Sequence, residues 1–235
     1  MENKRIGIII PSSNTTVEDE FSPVLLKAGI SVHYDRIPLE NVTVEDLASM
    51  EKNTKNAAAL LKTAEVKLVA YACTTGSLFK GLGHDIELGK LISKEANSEA
   101  VVTSGGVVDA LQSIKAKNIK VITPYIKDLN ELESKFLEEN GFNIMDIKGM
   151  NKVKNLDIGK TTSDELIDFI DGINMNDTDC LFLSCTNLPT FSVINLLEDK
   201  LKKPVISSNS ATLWSILKVL KISDVKGPGC IFNKV

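Results

Sequence analysis

Short apolar runs alternate along the chain with longer stretches whose apolar residues recur at helical spacing. In the first half, apolar runs predict strands at 5–10, 30–37, 66–72 and 100–103. A predicted helix lies between each pair of strands and after the last. Strands that alternate with helices in this way pair in parallel within one sheet.

The same order of elements returns in the second half of the chain. Apolar runs at 120–125, 142–147, 181–184 and 204–207 mirror the four earlier strands. Cys185 follows Cys73, and Pro124 follows Pro11, at nearly the same interval. The pattern therefore predicts an internal duplication.

We expect an α/β fold of two pseudo-symmetric lobes, each a parallel four-stranded sheet flanked by helices. The predicted boundaries are 1–115 for the first lobe and 116–222 for the second. Residues 223–235 are expected to pack back on the first lobe. Ligands of open parallel sheets collect at the carboxyl ends of the strands, so the active site is expected in the cleft between the lobes.

Two short stretches have the same pattern: an apolar run, predicted as a strand, ends in a cysteine that polar residues follow. Residues 67–72 form an apolar run that leads to Cys73, followed by Thr74 and Thr75. Residues 180–184 lead in the same way to Cys185, followed by Thr186 and Asn187. Matched cysteines at equivalent points of two repeated units suggest one site with a thiol on each side.

A thiol becomes a good nucleophile or proton carrier as its pKa approaches the working pH. Backbone N–H groups at the start of a helix lower that pKa, and both Cys73 and Cys185 are predicted to lie in such a setting. Nearby hydroxyls can orient a bound carboxylate or support the thiolate; they belong to Thr74, Thr75, Ser77, Ser184 and Thr186.

Other candidate chemistry is weaker. Cys180 and Cys230 lack a polar turn and are interpreted as structural. His33 and His84 lie far from the cysteines in sequence, and no His/Cys group has zinc spacing, so no metal is expected. Glycine-rich residues 76–83 fail as a phosphate loop, because Leu82 stands where lysine is required.

Composition excludes several classes of function. The chain has 235 residues and a net charge of −4, which argues against general affinity for nucleic acid or anionic membrane. No leader and no apolar stretch of membrane-spanning length is apparent. Four cysteines without Cys-x-x-Cys spacing do not suggest a disulfide framework. We expect a cytoplasmic protein with reduced thiols.

Several motifs, taken together and in order, resemble the maleate cis-trans isomerases of the Asp/Glu racemase superfamily, with arylmalonate decarboxylases as close relatives. The resemblance covers nearly the whole chain. The motifs that carry it are residues 11–16, 71–73, 102–106, Pro124-Tyr125, 155–159, Cys185 with Pro189, and 203–206.

The resemblance implies a cofactor-independent isomerase of a small dicarboxylate, with no cofactor bound and a homo-oligomeric state. By the same resemblance, Cys73 is the nucleophile that adds to the double bond and Cys185 is the opposing acid/base. Asn14, Tyr125 and Asn155 match positions that hydrogen-bond the substrate carboxylates.

Two stretches depart from the isomerase pattern. Residues 74–77 are polar where an apolar run is expected, and residues 186–188 replace Val-Gln-Met. These residues line the expected pocket, so an alternative remains: a two-cysteine racemase or epimerase of an acidic amino acid or hydroxy acid. Decarboxylases usually lack the first cysteine, so Cys73 argues against that reaction. A non-catalytic small-molecule binding protein is the third possibility.

Overall fold

Two four-stranded parallel sheets form the scaffold of the computed structural model, which describes residues 4–234. The first sheet has the order β2-β1-β3-β4 and the second β6-β5-β7-β8. The strands are β1 (Lys4–Pro11), β2 (Ile30–Ile37), β3 (Leu68–Tyr71), β4 (Glu99–Val102), β5 (Asn118–Thr123), β6 (Asn143–Gly149), β7 (Cys180–Leu183) and β8 (Val205–Ser207). The predicted fold and its duplication are confirmed.

Helices connect the strands and cover both sheets. They are α1 (Val17–Lys27), α2 (Val44–Glu51), α3 (Thr54–Lys62), α4 (Thr74–Leu78), α5 (His84–Ala96), α6 (Thr103–Ser113), α7 (Lys127–Glu139), α8 (Asn155–Gly159), α9 (Ser163–Ile170), α10 (Phe191–Leu201) and α11 (Ser208–Val219). A short 3-10 helix follows at Cys230–Lys234. In this arrangement, the loops after β1, β3, β5, β7 and β8 leave the sheets at their carboxyl ends.

The apolar character of the inner strands follows from their burial on both faces. Ile6, Ile8, Ile9 and Ile10 of β1 are all fully buried, as β1 lies between β2 and β3. Helices cover both faces of such a parallel strand, so it shows a continuous apolar run and no alternation. The same holds for β7 between β5 and β8.

Both hydrophobic cores include residues from each half of the chain. One joins Val69 of β3 to Leu181 of β7, and the other joins Ile8 of β1 to Phe182 of β7. Helix α11 of the second half packs directly on α6 of the first. The two halves therefore share their apolar interior, which fixes the strand ends of one sheet relative to those of the other.

Some boundaries differ from the sequence prediction. The single helix expected at 44–63 is two helices, α2 and α3, with a turn at Asn53, whose side chain bonds back to the Ser49 carbonyl at 3.3 Å. Such local bonds compete with the helical ladder. The helix expected at 164–175 ends at Ile170. No helix of the described residues is long and apolar enough to cross a bilayer.

The carboxyl-terminal segment forms hydrogen bonds with the second half of the chain, and its packing on the first lobe stays a prediction. The amide of Gly229 donates to Asn195 at 2.8 Å, and the amide of Cys230 donates to the Glu198 carboxylate at 2.9 Å. Both acceptors lie on α10 of the second half, and a carboxylate that binds a free amide makes a strong contact. The exact lobe boundaries at 115 and 222 stay a prediction.

Candidate active site

Cys73 lies directly after β3 and caps the amino end of α4 in extended conformation. The Gly76 amide and the Thr75 hydroxyl both act on its sulfur and favour the thiolate. A methyl group at Gly76 would lie 2.9 Å from Cys73 Sγ and 2.8 Å from the Tyr71 hydroxyl oxygen. Glycine is needed here because the backbone approaches the sulfur closely.

Cys185 follows β7 in a turn, and α10 begins only at Phe191. Its φ of +94° lies in the left-handed region, which non-glycine residues seldom adopt. The Cys185 amide donates to the Ser208 hydroxyl at 3.0 Å, and the Asn187 amide donates to Cys185 Sγ at 3.4 Å. These two bonds hold the strained residue and aim its sulfur.

Hydrogen bonds join the loops of the two thiols at the junction of the halves. Charge on Cys185 also raises the pKa of Cys73. The Thr74 hydroxyl, next to the first thiol, donates to the Ser208 hydroxyl at 2.8 Å, and Ser208 in turn binds the Cys185 amide. The structure thus brings both predicted sulfurs into one site.

The direction of both thiol pKa shifts is opposite to the sequence prediction. Burial raises the pKa of Cys73 to about 12, against the smaller lowering effects of Gly76 and Thr75. Burial likewise raises the pKa of Cys185 to about 11, although Tyr125 and the Asn187 amide lower it. The prediction was wrong because desolvation outweighs the short helix α4 at Cys73, and Cys185 does not begin a helix.

Tyr125, in the loop after β5, lies beside the second thiol. The side chain is 1% exposed, and its hydroxyl lies among Cys185 and Ser184, which both influence its pKa. The hydroxyl completes no hydrogen bond within the described residues. A buried hydroxyl without a partner is costly, so Tyr125 is available to bind an oxygen or sulfur atom that enters the site.

Asn14 and Thr186 link the first loop of one half to the second thiol's loop. Asn14 Oδ1 accepts the Thr16 and Val17 amides, both at 3.0 Å, and so caps α1. Its amide nitrogen donates to Thr186 Oγ1 at 3.3 Å. Thr186 Oγ1 donates to the Ala72 carbonyl, next to Cys73, at 3.0 Å.

Asn155 and Asn187 connect three loops around the same site. Asn187 Nδ2 donates to the Asn155 carbonyl at 2.6 Å, and its Oδ1 accepts the Thr15 amide at 2.9 Å. Asn155 Nδ2 donates to Ser13 Oγ at 2.9 Å. All the predicted site residues therefore gather around the two thiols, and the asparagines also hold the loops together.

Four further residues at this site were not among the predicted site residues: Tyr71, Glu133, Ser208 and Asn209. Ser208 binds both Thr74 and the Cys185 amide, and Asn209 donates to the Thr186 carbonyl at 3.0 Å. The sequence feature that could have identified Ser208 and Asn209 is the polar run 207–210, at the end of a predicted strand. Tyr71 lies in an apolar run and Glu133 lies on a helix with many charged residues, so the sequence did not distinguish either of them as a site residue.

The remaining cysteines and histidines lie outside this arrangement. Cys180 begins β7, at the opposite end from Cys185, and donates to the Leu181 carbonyl. His84 packs edge-on against Phe79. Within residues 4–234, no three His, Cys, Asp or Glu side chains are grouped so that they could hold a metal ion.

The site is nearly closed in this conformation. Cys73 is 5% exposed and Cys185 is 6% exposed. A surface groove of about 760 Å³ lies elsewhere, between α5, β4, α6 and α11. Both thiols are therefore largely screened from solvent in this conformation.

Comparison with known proteins agrees with the fold and with the family resemblance. The family model described as arylmalonate decarboxylase matches residues 6–232. A maleate isomerase of Pseudomonas putida KT2440 is 30% identical over 97% of this chain and 97% of that protein. A maleate isomerase of Alcaligenes faecalis is 31% identical over 94% of this chain and 91% of that protein.

A solved structure supports the same relationship. The crystal structure of a cysteine-to-alanine variant of maleate isomerase Iso from Pseudomonas putida S16, with maleate, superposes with a TM-score of 0.94. It is 28% identical to this chain, and the alignment covers 99% of this chain and 98% of that one. The chain therefore belongs to the family of the maleate isomerases and arylmalonate decarboxylases.

Proposed function

We propose that this protein is a cis-trans isomerase of a small dicarboxylate, of the maleate-to-fumarate type. The observation that carries the proposal is the pair of thiols, Cys73 and Cys185, that follow β3 and β7 and are linked through Ser208 in one site. The similar proteins named above, called maleate isomerases, support the choice of substrate.

Cys73 is the nucleophile in this proposal. Its sulfur bonds to one alkene carbon as the π bond breaks, and the electron pair moves to the neighbouring carbon and its carboxylate. Rotation about the resulting single bond is free of the alkene barrier. Return of the electron pair then re-forms the double bond and expels the Cys73 thiolate, so the reaction is redox-neutral.

Cys185 is the acid/base that moves one proton through this cycle. As a thiolate it takes the proton of Cys73 and so activates the nucleophile. As a thiol it gives that proton to the carbon that carries the negative charge, and takes it back before elimination. The Cys73 thiolate recovers the proton at the end, so no external acid is consumed.

Neutral donors are proposed to hold the two carboxylates. Tyr125 contributes its unpartnered hydroxyl, while Thr74, Thr75 and Thr186 contribute hydroxyls beside the sulfurs. Asn14, Asn155 and Asn187 contribute amides after exchanging some of their present bonds for bonds to substrate. Neutral donors bind an anion without drawing the nearby thiolate into an ion pair.

A panel of C4 and C5 dicarboxylates and acidic amino acids, followed by NMR in deuterated water, tests this function. We expect maleate to yield fumarate. Deuterium at Cα of an amino acid or hydroxy acid, with maleate unchanged, would instead establish the two-cysteine racemase. Ligand-induced thermal stabilisation without any turnover would establish a binding protein.

Three finer features belong to the same proposal. The reaction is expected to need no cofactor, because addition and elimination balance without an oxidant or a reductant. Activity that survives dialysis against a chelator would support this. We also expect a homo-oligomer in the cytoplasm, and light scattering of the purified protein together with cell fractionation tests both features.

A further inference from the structure

Helix α7 carries one carboxyl group into the interior. Glu133 is 1% exposed, whereas Glu131, Glu138 and Glu139 lie on the solvent face of the same helix. Within residues 4–234, Glu133 takes part in no ion pair. A charged carboxylate in such a place is costly, whereas a protonated carboxyl is tolerated.

The carboxyl of Glu133 is directed at the second thiol. Ser184 Oγ donates to Glu133 Oε1 at 2.5 Å, and Ser184 is the residue before Cys185. Glu133 Oε2 has no hydrogen-bond partner within the described residues. The Tyr125 hydroxyl lies by both Ser184 and the Cys185 sulfur. These side chains form a line from the buried carboxyl to the sulfur.

We propose that Glu133 is a positioning residue for Cys185: its buried carboxyl binds Ser184, the residue before the second thiol, and its charge state sets how readily Cys185 gives up its proton. The inference rests on the proposed function and deepens it, because it names the group that tunes the acidity of Cys185.

The charge on the Glu133 carboxyl acts on the second thiol. Burial raises the pKa of Glu133 to about 7, so the carboxyl changes its charge near neutral pH. Once ionised, it disfavours the Cys185 thiolate and raises the pKa of Cys185.

Few other titratable groups face Glu133. Tyr125 and Cys185 face it from the loops after β5 and β7. Helix α4, which packs against α7, has none among residues 74–78. Asp146 and Lys148 of β6 pair with each other at 4.0 Å near the surface. The charge of the Glu133 carboxyl therefore acts mainly on the second thiol, because an ionised Glu133 raises the pKa of Cys185.

The test compares Glu133→Gln with Glu138→Gln, which removes an exposed carboxylate from the same helix. The rate of Cys185 alkylation is measured by mass spectrometry of the peptide from pH 7 to 10.5. In Glu133→Gln the neighbouring negative charge is gone, so we expect the alkylation curve of Cys185 to shift to lower pH and rates at pH 9 to rise several-fold. Glu138→Gln is expected to follow the wild type.

The second readout is kcat for maleate between pH 6 and 9. The wild type is expected to show an inflection near pH 7 that Glu133→Gln lacks, with KM little changed, and Glu133→Asp is expected to restore part of the inflection. If Glu133→Gln does not fold, Ser184→Ala removes the hydrogen bond between Glu133 and the residue before Cys185 and is measured in the same way.

An alkylation curve of Cys185 that is identical in wild type and variant would overturn the inference. Alkylation needs no turnover, so the result stands apart from the fate of the proposed reaction. Absence of maleate turnover with a shifted alkylation curve would reject the substrate and keep the role of Glu133.

Discussion

The Thr74 hydroxyl donates a hydrogen bond to the Ser208 hydroxyl at 2.8 Å, and this bond joins the two halves of the molecule between the two thiols. Ser208 also accepts the Cys185 amide at 3.0 Å. One serine thus links the residue after the first thiol to the backbone of the second.

Ser208→Ala should disturb both thiols at once. Two buried donors, the Thr74 hydroxyl and the Cys185 amide, lose their acceptor, which costs about 1–3 kcal/mol of unfolding free energy. Misplacement of the sulfurs should lower kcat by about tenfold or more. Urea denaturation and maleate turnover measure the two effects. The control is Ser223→Ala at an exposed loop position; equal values for both variants would contradict the linking role.

Gly159 at the end of α8 should tolerate no side chain. A methyl group there would overlap with Thr15 Oγ1 and lie 3.0 Å from Asn187 Oδ1, at the contact between the loops. Gly159→Ala should therefore cost about 1–3 kcal/mol in stability and raise KM for maleate.

The matched control for Gly159 is Gly89→Ala within α5. A methyl group at Gly89 meets only Val102, at 3.5 Å, an ordinary contact. Alanine in a helix is favoured over glycine by about 0.5–1 kcal/mol, so this variant should be slightly more stable than wild type. Equal free energies of urea unfolding for the two variants would show that the contact between the loops at Gly159 does not contribute to stability.

Stability should fall as the pH rises from 4.5 to 7.5. Burial raises the pKa of Glu133 from 4.5 to about 7, so in this range the folded state binds more protons than the unfolded state. The loss amounts to at most about 3 kcal/mol for this group, and Glu20, whose pKa burial also raises to about 7, acts in the same direction.

The contribution of Glu133 is isolated by comparing urea unfolding of Glu133→Gln and Glu138→Gln at pH 5 and pH 7.5. Relative to wild type, Glu133→Gln should gain stability on going to the higher pH. Glu138→Gln should keep a constant difference from wild type. A constant difference for both variants would mean that Glu133 is not buried in neutral form.

Alkylation of both site thiols should be slow near neutral pH. Because burial raises the pKa of Cys73 to about 12 and that of Cys185 to about 11, the thiolate fraction should increase about tenfold per pH unit between 7 and 10. Iodoacetamide labelling followed by peptide mass spectrometry measures both rates. A plateau near pH 8.5, as for an ordinary thiol, would contradict the effect of burial.

The repeated order of strands and helices was predictable because buried parallel strands show continuous apolar runs. The matched positions of Cys73 and Cys185 located the site for the same reason, since each follows such a run. Parallel strand ends meet at one edge of each sheet, so the meeting of the loops around the two thiols followed from the duplication.

The local electrostatics were not predictable from the sequence. Whether a helix start lowers a thiol pKa depends on burial, which outweighs it at Cys73. The left-handed φ of Cys185 has no sequence signal, as glycine does not occupy that position. Glu133 looks like any other acidic residue of α7 until the tertiary structure turns it inward to Ser184.

The most direct measurement of the central claim is the NMR signal of fumarate formed from maleate by the wild type, Cys73→Ala and Cys185→Ala, with Cys180→Ala as the control for a thiol outside the site. The account predicts steady conversion by the wild type and by Cys180→Ala, and loss of at least about a thousandfold in Cys73→Ala and Cys185→Ala. Full activity of a folded Cys73→Ala variant would contradict it.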